Sequence, residues 1–79
     1  MKLKIKAFGI TKEIVGGREI TVETSVQTVA ELREELRLKF PALVKLKSLF
    51  VAVNHKYSDD AMVLHETDEI ALIPPVSGG

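Results

Sequence analysis

The opening residues, MKLKIKAF, constrain this chain more than any other stretch. Leu3, Ile5 and Ala7 alternate with Lys2, Lys4 and Lys6. Successive side chains on a strand point to opposite faces, so this pattern predicts a strand with one buried face and one wet, lysine-bearing face. Phe8 breaks the rule, because it falls on the lysine side. EITVE repeats the alternation, with Ile20 and Val22 on one face and Glu19, Thr21 and Glu23 on the other. Gly16 and Gly17 lie between the two segments and suit a turn. The pair therefore reads as a hairpin whose solvent face sets lysines near glutamates across the strands.

A sheet with one dry face needs a cover, and the next segment supplies it. In TVAELREELRLKF the period changes, placing Val29, Leu32, Leu36 and Phe40 on one helical stripe. Thr28 followed by Glu31 fits a capping box, and Arg37 and Lys39 close the segment in keeping with the helix dipole. Pro41 ends the helix, since it lacks the N–H and disfavours helix in the residue before it. ALVKLKS is open between a loop and a short extra turn. LFVAVN reads as a strand apolar on both faces. Turn residues follow at Asn54-His55 and Ser58-Asp59-Asp60, with a short edge strand near Lys56-Tyr57. DEIALIP is the last strand, also apolar on both faces, as strands inside a covered sheet are. The order strand, strand, helix, strand, short piece, strand predicts an α+β, β-grasp (ubiquitin-like) fold. In it a single mixed sheet carries one main helix on one face, with the first and last strands side by side in the centre.

Length and charge narrow the function. At 79 residues the chain has room for one core. Eleven basic and eleven acidic residues cancel, so the basic excess of a nucleic-acid binder is missing. No apolar run is long enough to span a membrane, and no signal-peptide pattern opens the chain; a cytoplasmic protein with neither nucleic-acid nor membrane partners is expected. The absence of cysteine removes disulfides, thiolate metal sites and any side chain able to carry sulfur as a persulfide.

One helix covers one face, so apolar residues on the other face call for a reason. Phe8 points away from Leu3 and Ile5. If Ile70 and Leu72 face the helix, Ala71 and Ile73 face out; if Val51 and Val53 face in, Phe50 and Ala52 face out. Phe8, Phe50 and Ile73 then form one exposed apolar patch, the usual mark of a partner site. The competing reading packs Phe8 or Phe50 under ALVKLKS.

The patch adjoins LIPPVSGG. The β-grasp domain is read as 1–73 and an extended tail as 74–79, formed by Pro74, Pro75, Val76, Ser77, Gly78 and Gly79. Six extended residues reach about 20 Å, at about 3.3–3.6 Å each, enough to enter a deep pocket on another protein. The prolines favour an extended start, which lowers the entropy lost on docking. Glycines without Cβ pass where no other residue fits. The carboxylate of Gly79 is then the group presented. Were it activated, for example as an acyl adenylate, it would accept a sulfur nucleophile and become a thiocarboxylate, and sulfur would then ride on the backbone of a chain without cysteine.

DEIALIPPVSGG, Asp68 to Gly79, resembles the C-terminal signature of the small subunit of molybdopterin synthase, within the ubiquitin-like and thiamine sulfur-carrier superfamily. AVN at Ala52–Asn54, FGITKEIVG at Phe8–Gly16 and TVAELREEL carry the resemblance across the rest of the chain. It implies a sulfur carrier, not catalytic alone. Gly79 would be adenylated with ATP by a ubiquitin-activator-like enzyme and converted to a thiocarboxylate by a sulfur donor system. The tail would then enter the large subunit, within a heterotetramer, and give sulfur to cyclic pyranopterin monophosphate to build the molybdopterin dithiolene. No bound cofactor and no metal are implied. The family's docking patch falls on Phe8, Phe50 and Ile73, with Lys12 where arginine is common, a point charge in place of a bidentate fork. Thr67-Asp68-Glu69 replaces the family's Gly-Asp-Glu and questions the tight turn before the last strand.

Related readings are a β-grasp carrier for thiamine or tRNA thiolation, a ubiquitin-like modifier, and an interaction domain with an inert tail; Pro-Pro-Val favours the molybdopterin branch. His55 and His65, with acidic neighbours, lack the convergent spacing of a metal site and read as solvated turn residues. Lys45 and Lys47 read as a solvated face.

Overall fold

The computed structural model describes residues 1–75. Its elements are β1 (Lys2–Ala7), α1 (Ile10–Val15), β2 (Glu19–Glu23), α2 (Val29–Lys39), a 3-10 turn (Pro41–Lys45), β3 (Phe50–Val53), β4 (Lys56–Tyr57) and β5 (Glu69–Ile73). The strands form one mixed sheet in the order β2-β1-β5-β3-β4. β1 and β5 run parallel in the centre, and the other pairs are antiparallel. This is the expected β-grasp arrangement, and the central place of β5 accounts for its apolar character on both faces.

α2 starts where the sequence sets it. The Thr28 side chain accepts from the Glu31 N–H, and the Glu31 carboxylate accepts from the backbone of Thr28 and of Gln27, at 3.1 and 2.8 Å. These bonds, Gln27 first and then Thr28, hold the Glu31 carboxyl below its ordinary value. Val29, Leu32 and Leu36 are fully buried against Leu3, Ile5, Ile70 and Leu72 of the two central strands, and Val22, Val51 and Val53 extend the core. Phe40, the last residue of the expected stripe, is half-buried and ends the helix before Pro41. The open question over ALVKLKS resolves into a single 3-10 turn that buries Leu43. Arg33 ties α2 to β3 from the side, donating to the Leu49 carbonyl and pairing with Asp60 at 3.0 Å.

Two expectations need correction. β1 and β2 do pair antiparallel, with Lys2 opposite Glu23 and Lys6 opposite Glu19, but they are not joined by a simple turn. The connection holds α1, capped by Gly16 in the left-handed conformation at φ 89°, where the N–H groups of Gly16 and Gly17 both reach the Lys12 carbonyl. A six-residue helix gains little from its own hydrogen bonds, so its sequence pattern is faint. Its anchor is tertiary: Thr11 is fully buried, donates its hydroxyl to the Phe8 carbonyl and lies 3.5 Å from the Leu72 carbonyl. The second correction is the turn before β5. Thr67 serves there without strain, because the turn needs no positive φ at that residue. The His65 N–H donates to the Asp68 carboxylate at 2.8 Å and the Asp68 N–H to the His65 carbonyl at 3.0 Å.

Asn54 and His55 form the two-residue link from β3 to β4, both at positive φ (53° and 71°), the twist that two-residue hairpins prefer. The Asn54 side chain also closes on Asp68 and on the Glu69 N–H, at 2.9 Å each. Among the described residues no helix is long and apolar enough to cross a membrane.

Candidate functional site

The open face of the sheet changes character from one edge to the other. One register row runs Glu19, Lys6, Ala71, Ala52, Tyr57, from charged on β2 to apolar on β4. Residues opposite one another in a sheet share a face. Ile73 of β5 therefore stands beside Phe50 of β3, its register partner. Phe8, just past β1, lines one shallow groove with Ala52, Tyr57, Ala71 and Ile73. Phe8 is 50% exposed and Phe50 47%, so neither packs under the 3-10 segment, and the competing core reading of these two residues falls. Ala52 faces out as expected but is buried, a small side chain on the groove floor.

Tyr57 extends the patch and was not among the expected site residues. Its ring centroid lies 5.4 Å from that of Phe50, and it is 70% exposed. The available signal was the two-residue edge strand: opposite Ala52, its second residue must face the open side. A polar margin borders the groove, where the Glu69 carboxylate holds Lys6 Nζ at 3.2 Å and lies 3.5 Å from His55 Nε2. Lys12 is exposed on α1 and lines a neighbouring hollow with Phe8, Arg18 and Glu19. It is next to Phe8 but not in the groove that holds Ile73.

The root of the tail is fixed by the corner after β1. The Phe8 N–H donates to the Leu72 carbonyl at 3.3 Å. Gly9 follows at φ 56°, and a Cβ there would lie 2.9 Å from Pro74 Cγ. Glycine at this position serves both the backbone angle and the close passage of Pro74. Pro74 and Pro75 are half-buried beyond the end of β5. Val76, Ser77, Gly78 and Gly79 lie outside the described residues. Among the described residues no three His, Asp or Glu side chains converge on a common point able to hold a metal ion.

Taken together, the elements define a ubiquitin-like β-grasp domain whose central strand leads out through an apolar patch on the open face. The chain belongs to the ThiS family, whose model matches residues 5–79. It is similar to molybdopterin synthase sulfur carrier subunits. That of Caenorhabditis briggsae is 41% identical over 83 residues, covering 100% of this chain and 99% of the relative. The Arabidopsis thaliana protein is 36% identical over 81 residues, covering 100% and 84%, and the human one 32% over 83 residues, covering 99% and 94%. Among solved structures, SAMP1 from Haloferax volcanii superposes with a TM-score of 0.81 at 27% identity, covering all of both chains. A chain in the complex of subunits 1 and 2 of the molybdopterin-converting factor from Helicobacter pylori gives 0.70 at 28% identity, also over all of both chains. The resemblance read from DEIALIPPVSGG thus agrees with independent matches along the whole chain.

Proposed function

We propose that this chain is a sulfur carrier and the small subunit of a molybdopterin synthase, with Gly79 as the residue that carries sulfur. The observation that carries the reading is the place where the tail leaves the domain. β5 runs through the middle of the sheet, and its last residue, Ile73, stands in the apolar patch beside Phe50 and Phe8. A partner seated on that patch meets the root of the tail at once, and Pro74-Pro75 direct the chain onward in an extended form. The matched relatives are named as sulfur carrier subunits, and the Helicobacter pylori neighbour is one chain of a two-subunit complex.

The chemistry proceeds at the Gly79 carboxylate. An adenylating partner related to the ubiquitin activators joins it to AMP from ATP, releasing pyrophosphate. A sulfur nucleophile from the donor system attacks the acyl carbon, AMP leaves, and a thiocarboxylate remains. Within the large subunit the thiocarboxylate sulfur attacks a carbon of cyclic pyranopterin monophosphate and displaces an oxygen substituent there; water then cleaves the acyl–sulfur bond, which leaves the sulfur on the pterin and restores the carboxylate of Gly79. Two transfers complete the dithiolene. A large-subunit dimer with a carrier at each end, a heterotetramer in the cytoplasm, accommodates both. The chain binds no cofactor of its own in this scheme and supplies no general base; Phe8, Phe50, Ile73 and Lys12 hold the partner, and 74–79 deliver the sulfur.

The test is a reconstitution with large subunit, pyranopterin and carrier protein thiocarboxylated at Gly79. Removing Gly79, or adding one residue after it, is expected to abolish dithiolene formation while the fold stays intact. Transfer from a blocked or extended terminus would overturn the mechanism. The SAMP1 neighbour, a small archaeal modifier protein, favours a second reading, conjugation of Gly79 to lysines of other proteins. Gly79 recovered in isopeptide linkage from cells would support it.

A further inference from the structure

The sheet has two edges, and they differ. β4 is two residues long, whereas β2 is five residues long and, among the described residues, pairs only with β1. The hydrogen bonds at its ends reveal which backbone groups of β2 are spent. The Met1 ammonium donates to the Thr24 carbonyl and the Thr24 N–H to the Met1 carbonyl, each at 2.8 Å; at the other end the Ala7 N–H donates to the Arg18 carbonyl at 2.8 Å. Hydrogen-bonded and non-bonded pairs alternate along an antiparallel ladder. Val22 and Ile20 therefore bond inward to Leu3 and Ile5, and Glu19, Thr21 and Glu23 turn their N–H and C=O groups outward.

Two of the three side chains of this outward row, Glu19 and Glu23, are acidic, and the third, Thr21, is polar. Lys6 and Lys2 stand opposite Glu19 and Glu23 in register, yet among the described residues neither glutamate has a cationic group within 4.0 Å. Lys6 is drawn to Glu69 instead.

We propose that β2 is a docking edge for an extended segment of another protein with basic residues at every second position, which adds to the sheet as a sixth strand. The added strand pairs with the outward groups of Glu19, Thr21 and Glu23, and its basic residues lie on the open face beside those carboxylates. Its intervening residues are apolar and turn toward the helix side, where Ile20 is half-buried. β1, with Lys2, Lys4 and Lys6 alternating with Leu3 and Ile5, is a strand of this kind and already holds the inner side of β2. A second copy of this chain is a poor occupant, because pairing β2 with itself sets glutamate against glutamate, which is unfavourable. The inference stands apart from the sulfur-carrying reading, since it concerns an edge away from the Ile73 groove.

The test uses the full chain and a synthetic peptide with lysine alternating with isoleucine and threonine, with a glutamate version and a lysine version N-methylated on its edge-facing amides. Binding of the lysine peptide is expected to slow hydrogen exchange at the amides of Glu19, Thr21 and Glu23, while those of Ile20 and Val22 are slow from the start. Glu19→Lys with Glu23→Lys is expected to weaken the lysine peptide at least about tenfold and to admit the glutamate peptide. The N-methylated peptide is expected not to bind, which keeps the test valid should the double variant not fold. Unchanged exchange at the three amides, equal binding of the N-methylated peptide, shifts confined to the Phe8 and Ile73 groove, or self-association of the free chain through β2 would each overturn the proposal.

Discussion

Under α2, Leu3, Ile5, Ile70 and Leu72 are fully buried, whereas on the opposite face of the same sheet Phe8 and Phe50, larger and equally apolar, stay half exposed. The covered face is closed by packing within the chain, and each residue there is chosen by volume and by its neighbours. The open face has no such closure, so its apolar residues represent a standing cost in water that only another molecule removes. The two faces should therefore respond to substitution in opposite ways, the covered one through stability and the open one through binding.

The largest effect should come from the covered face. Leu72→Ala is expected to cost about 2–5 kcal/mol by leaving a cavity beneath α2, read as a drop in denaturation midpoint. On the open face, Phe50→Asp, Phe8→Asp and Ile73→Asp should leave the midpoint nearly unchanged and weaken the large subunit by at least about tenfold, as truncating an interface anchor does. Unfolding by these changes would erase the distinction between the faces. Gly9→Ala sits where the faces meet. It should cost about 1–3 kcal/mol from a backbone conformation, φ 56° with ψ −136°, that residues with a Cβ rarely adopt, and it should also slow sulfur transfer, since its Cβ displaces Pro74 at the root of the tail. A loss of stability with full transfer would show that the position of Pro74 is immaterial.

The smallest effect belongs to the helix start. Thr28→Ala should cost about 1 kcal/mol in thermal or urea unfolding and leave partner binding intact. Glu31 adds a pH dependence of known sign. Its carboxyl is held low in the folded chain, so its contribution is present above the unfolded carboxylate range and is lost as pH falls through the lower, folded value. Glu31→Gln should flatten that part of the stability profile.

The same contrast explains what was legible in the sequence. Alternation in KLKIKA and EITVE and the stripe Val29, Leu32, Leu36 are local consequences of burial, and they placed the sheet, the helix and the capping box correctly. Phe8, Phe50 and Ile73 were visible as breaks in that alternation. Tyr57 was missed because it reaches the patch only through the register of β4 with β3, which two residues of sequence do not declare. α1 was missed because ITKEIV carries no strong helical pattern, and what holds it is a distant contact, Thr11 beside Phe8 and Leu72. Gly9 gave no signal of its own in the sequence; its close approach to Pro74 appears only once the end of β5 is brought beside the end of β1.

The central claim is that sulfur rides on Gly79, and the most direct measurement is the intact mass of the protein purified from its own cells, with the C-terminal peptide mapped. The account predicts a fraction of chains in which one oxygen of the Gly79 carboxylate is replaced by sulfur, increased when the large subunit is absent and sulfur accumulates on the carrier. A carboxylate in every chain under that condition, or further residues after Gly79 in the mature protein, would contradict it.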